Sequence, residues 1–149
     1  MTGAPTGILR APKEGSNRFR VYVLFTTPDE TRAALQHAAR LSKGLSGEIA
    51  LIATPIVPFP LPLDQPPASL EFALTQIRDL AQSVDRDIVG YIYLCRDPLQ
   101  MLDCVLRPHS LVVIGLQKGW HFSRIARLAR ALRRRGHHVV TPREEFEGR

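Results

Sequence analysis

The residues best placed to do chemistry lie together late in the chain. Leu111-Val112-Val113-Ile114-Gly115 leads into Leu116-Gln117-Lys118-Gly119, and then into Trp120 to Arg135, which holds six arginines and no acid. A glycine-flanked loop that opens a helix leaves backbone N–H groups free at the positive end of the helix dipole, which suits an anion. Gly115 and Gly119 would shape that loop. Lys118, His121, Ser123 and Arg124 would add charged or hydroxyl donors beside it. Thr26 and Thr27, at the end of the first apolar run, are the other candidates for the same site.

No other constellation carries chemistry. The five histidines (His37, His109, His121, His137, His138) lack metal-ligand spacing with acids or thiols, and His137-His138 reads as the entrance to a strand. No serine stands in Gly-x-Ser-x-Gly. Lys118 lacks the longer glycine spacing and the following Ser or Thr of a Walker loop. Asp85 and Asp87 flank a helix end and read as solvated turn residues. The expectation is a protein with no catalytic residues and no metal. Cys95 and Cys104 form no CxxC motif, and their apolar neighbours lead us to expect two buried thiols in a reducing cytoplasm.

The arginines form a pattern of their own. Phe122, Ile125, Ala126, Leu128, Ala129 and Leu132 share one arc at about 100° per residue, and most of the arginines cover the opposite arc. Arg127, Arg130 and Arg134 could be a solvated face, a surface for an acidic protein partner, or a phosphate-binding surface for nucleic acid. Trp120 is the only indole nearby, and no stacking platform accompanies the arginines, which argues against nucleic acid.

These residues need elements to position them. Arg20 to Phe25 reads as a buried strand. Thr27-Pro28-Asp29-Glu30 has a capping hydroxyl, proline at the first helical position and a capping-box acid. Ala34, Ala38, Leu41 and Leu45 follow at helical spacing, with Gly44 or Gly47 as the stop. Glu48 to Ala53 is a second strand. Thr54 to Pro67, with six of the twelve prolines, should be a stiff loop packed over the sheet edge. From Ser69 a second helix carries Leu70, Leu74, Ile77, Leu80 and Val84, and Ile88 to Cys95 is a third strand. Asp97-Pro98-Leu99-Gln100 starts a third helix, which Pro108 ends. Leu111 to Gly115, the arginine helix closed by Gly136, and His138 to Pro142 complete a β-α-β-α-β-α-β-α-β pattern.

That alternation implies an α/β fold: a three-layer, doubly wound, five-stranded parallel sheet of order 3-2-1-4-5. Its winding would reverse between the first and fourth strands, where open sheets of this kind bind ligands. Met1 to Arg18 should be a flexible leader, residues 19–142 one domain and residues 143–149 a charged tail. The chain has 44% hydrophobic and 23% charged residues, ordinary for a globular protein. No apolar run reaches the about 18 residues of a membrane span, and the start lacks a signal-peptide layout.

Three stretches resemble the universal stress protein family, within the Rossmann-like adenine-nucleotide α-hydrolase group. Thr27-Pro28-Asp29 with Ala34, Ala38, Ala39 and Leu41 is similar to its first turn and alanine-rich helix. Arg96-Asp97-Pro98 resembles the Gly-x-Pro after its third strand. Ser110 to Gly115 resembles its acidic residue, apolar strand and glycine. The resemblance covers about Arg20 to Pro142. It implies ATP or AMP as ligands and dimerisation through the last strand, here at Val139 and Val140. Members that bind ATP carry an aspartate where this chain has Phe25, and a Gly-x-x-Gly-x(9)-Gly-Ser or Thr loop. Here Gly119 comes one residue late, the loop is short, and Phe122-Ser123 stands for the final Gly-Ser.

The expectation is therefore a cytoplasmic, non-catalytic binding or regulatory module in stress response, a homodimer with a degenerate nucleotide site. One alternative is a competent ATP or AMP binder with a shortened loop. The other is a nucleic-acid-associated protein using the basic helix.

Overall fold

The computed structural model describes residues 7–8, 19–43, 47–56, 70–84, 86–115 and 124–142. In chain order the elements are β1 (Gly7–Ile8), β2 (Phe19–Leu24), α1 (Pro28–Leu41), β3 (Gly47–Ala53), α2 (Leu70–Gln82), β4 (Ile88–Ile92), α3 (Pro98–Val105), β5 (Leu111–Ile114), α4 (Arg124–Arg134) and β6 (His138–Val140).

The strands are nearly all apolar because the sheet is covered on both faces. Val21 and Val23 point to one side with Ile49 and Leu51; Tyr22 and Leu24 point to the other with Ala50 and Ile52. The order is β1-β4-β3-β2-β5-β6, with every pairing parallel except β1 on β4. The five parallel strands thus have the expected 3-2-1-4-5 order. Leu35 and Ala38 of α1 and Ile77 and Leu80 of α2 fill one core. Met101 and Leu102 of α3 and Ala129 and Leu132 of α4 fill the other.

Both expected N-caps form. Thr27 Oγ1 accepts from the Glu30 N–H at 3.3 Å, and Asp97 Oδ1 accepts from the Leu99 N–H at 3.1 Å, each followed by proline. Such a cap contributes about 1 kcal/mol.

Four expectations need correction. The stretch expected as a flexible leader includes a short strand, since Gly7 and Ile8 pair antiparallel with Ile92 and Tyr91; an edge strand offers unpaired backbone groups to any adjacent segment. The third strand stops its regular ladder at Ile92. Beyond it Tyr93 and Cys95 donate to the carbonyls of Ala53 and Pro55, because Pro55 has no N–H to continue the pairing. Helix α1 ends at Leu41, before either glycine, where Ser42 Oγ donates back to the Ala38 carbonyl at 2.9 Å. As the terminal residue, Leu41 is left 40% exposed. Cys104 is exposed, because the eight-residue α3 buries only Met101 and Leu102. The loop and helix start expected over 116–123 lie outside the described residues, as do Leu45 and most of the proline-rich segment.

Candidate functional site

A cavity of about 1010 Å³ opens at the carboxyl ends of the strands. Its floor is the end of β2 (Leu24, Phe25, Thr26) and the Ala53-Thr54-Pro55-Ile56 segment after β3. Its walls are the head of α3 (Arg96 to Leu99) and one side of α4. This is the place where the winding of the sheet reverses, as the topology requires of a ligand crevice.

The sequence of α4 explains how it can both pack and face the cavity. Its core arc is Ala126, Ala129 and Leu132, all buried. Arg124, Arg127, Leu128 and Ala131 recur at spacings of three and four, so they share the adjoining arc and line the crevice. Asp97 is the one acid in the lining among the described residues, and one of its oxygens accepts from the Leu99 N–H.

Much of the floor's polar surface is turned inward. The Phe25 N–H donates to the Ile52 carbonyl at 2.8 Å, and the Cys95 N–H to the Pro55 carbonyl at 3.1 Å. The Thr26 N–H donates to Thr31 Oγ1 at 2.9 Å, and Thr26 Oγ1 donates to the Gly115 carbonyl at 3.3 Å. Just beneath, burial pushes the Cys95 thiol up to about 11, with the nearby Asp97 charge adding to the effect. That thiol donates to the Thr54 carbonyl at 3.7 Å and is held protonated, the form that is a poor nucleophile.

The expected site residues fare unequally. Thr26 and Arg124 line the cavity. Thr27 is exposed and occupied as the cap of α1. Gly115 is buried against α1: a Cβ there would overlap the Glu30 carbonyl oxygen, so the glycine serves a close backbone approach. Lys118, His121, Gly119 and Ser123 lie outside the described residues. Arg127, assigned from sequence to an outer surface with Arg130 and Arg134, lines the crevice, while Arg130 and Arg134 are exposed. Arg96 and Leu128 join the site without having been expected there; the recurrence of Arg124, Arg127 and Leu128 on one arc was the available signal.

Val139 and Val140 lie on β6, at the far edge of the sheet, each 7% exposed. The His138 N–H bonds to the Ser110 carbonyl of the neighbouring segment, so the alternating Val139 carbonyl faces the outer edge. Arg133 donates to it at 3.1 Å. Among the described residues there is no cluster of three or more metal-ligating side chains, and no helix long and apolar enough to cross a membrane.

No family model matches the sequence, and no curated protein matches it. Solved structures do. A universal stress protein from Archaeoglobus fulgidus superposes with a TM-score of 0.57 at 13% identity, covering 83% of this chain and 92% of that one. A universal stress protein in complex with cAMP superposes with a TM-score of 0.55 at 14% identity, covering 85% and 97%. The resemblance of sequence, the strand order and these superpositions agree: the chain has the universal stress protein fold.

Proposed function

We propose that this chain is a non-catalytic, cytoplasmic universal-stress-like module that acts in stress response by binding a small anion in the crevice. The observation that carries the reading is the cavity at the reversal of the sheet, with Arg96, Arg124 and Arg127 in its wall. The similar protein solved with cAMP supports an anionic ligand at this fold. Adenine nucleotide itself fits less well. Phe25 stands where the family's ATP binders carry an aspartate, and Gly115 is taken up by packing on α1.

Mass spectrometry of small molecules released from the purified protein, with calorimetric titration of ATP, AMP and cAMP, tests this. We expect a bound anion of another kind and flat titrations. Stoichiometric adenine nucleotide would favour the alternative of a competent nucleotide site. Reversing Arg124 and Arg127 to glutamate should abolish retention of the released compound.

The nucleic-acid reading retains one supporting observation, the exposure of Arg127, Arg130 and Arg134 along α4. Binding of mixed-sequence DNA or RNA that weakens steeply with salt and vanishes on reversal of all three would establish it. Reversal of Arg130 and Arg134 alone separates it from crevice binding, since neither lines the cavity.

A further inference from the structure

The composition of the crevice names a more specific ligand class, on the premise that the crevice is the binding site. Its lining carries Leu24, Phe25, Ile56, Leu99, Ile125 and Leu128 as apolar surface, beside three arginines. Recognising a nucleoside needs free donors and acceptors at the floor, for the base edge and the ribose hydroxyls. Here the Phe25 and Thr26 N–H groups and the Thr26 hydroxyl all donate within the protein, and one oxygen of the Asp97 carboxylate accepts from the Leu99 N–H. A base placed against them would leave its own polar edge without partners, which is costly. A hydrocarbon body would not.

The charge, by contrast, is concentrated at one side. Arg124 and Arg127 are exposed at their own positions yet border the cavity one turn apart, so a single anionic group could meet both. We infer that the crevice takes an amphipathic anion: an acyl or aryl body against Phe25, Ile56 and Leu128, with a phosphate or carboxylate head at Arg124 and Arg127. Leu128 belongs to both surfaces, since it follows Arg127 directly and packs against the core on the α3–α4 side.

The test is calorimetric titration of the full chain with dodecyl phosphate below its micellar concentration, run beside dodecanol, dodecanoate, ATP and cAMP. The expected result is saturable binding of the two long-chain anions at one per chain. Dodecanol should bind about tenfold or more weakly, and Arg124→Glu/Arg127→Glu should weaken the anions by a similar factor. Both arginines are solvent-exposed, so the double variant keeps its fold; a Leu128→Gln variant tests the apolar half independently. Binding of dodecyl phosphate that dodecanol matches, or that the double variant leaves unchanged, overturns the inference as mere apolar adsorption. Saturable ATP or cAMP binding that dodecyl phosphate does not displace also overturns it, while leaving a ligand-binding module in place. Flat titrations with every probe, and no compound released from the purified protein, would overturn both.

Discussion

A side chain as small as a methyl group at Gly115 would collide with backbone, lying 2.8 Å from the Glu30 carbonyl carbon. Backbone cannot swing aside as a long side chain can. We therefore expect Gly115→Ala to cost about 1–3 kcal/mol in urea unfolding, and to reduce ligand binding only through loss of folded protein. Gly136 is constrained differently. Its φ of +94° is a conformation that side chains avoid, and an added Cβ would sit 3.3 Å from the His109 ring. Gly136→Ala should cost about 1–2 kcal/mol. Next to it, His137 Nδ1 accepts the Ser110 N–H at 3.1 Å, which requires the neutral ring. Burial holds its pKa below the ordinary value; Asp103 opposes that shift, while His109 and Arg135 add to it. The unfolded chain thus takes up a proton near pH 6.5 that the folded chain refuses. This contribution to stability is complete above that pH and is lost as pH falls through the lower folded value. Unfolding curves between pH 8 and 5 should show the decline. His137→Asn, whose Oδ1 can still accept from Ser110, should flatten it.

At the scale of the element, β6 shows how a strand edge is managed. Its Val139 carbonyl faces outward and is taken by Arg133, from the helix that precedes it. A homodimer built on this edge, as the resemblance to universal stress proteins implies, would have to displace that guanidinium or accommodate it. Arg133→Met should therefore strengthen self-association, read by analytical ultracentrifugation over a concentration series. Weaker association would assign the arginine a part in the interface. Helix α3 offers a simpler check. Cys104 should react with a thiol reagent in the native protein, whereas Cys95 should react only after unfolding. The same elements show what was legible in advance. Capping residues and apolar runs report local backbone preference and burial, so α1, α3 and the five parallel strands could be read directly. The pairing of Gly7–Ile8 could not, because two residues carry no period and β4 supplies the partner. Nor could the position of Arg127: periodicity assigns a residue to an arc, but not what that arc faces. Cys104 was misplaced because α3 is too short to bury both of its sides.

For the whole molecule, the sheet works as a partition. Among the described residues, the core of α1 and α2 and the core of α3 and α4 lie on opposite faces of the strands between them. One side carries the 14-residue α1; the other carries the eight-residue α3, and it is the side that lends α3 and α4 to the walls of the cavity. Two compartments of unequal strength need not open together. Amide exchange should find α3 and α4 opening at lower free energy than the central strands, with α1 more persistent. A ligand bridging the floor and α4 would close that gap. Occupancy would then be reported to the rest of the cell as a change in how long the weaker half stays shut, with little displacement of any atom in the mean structure.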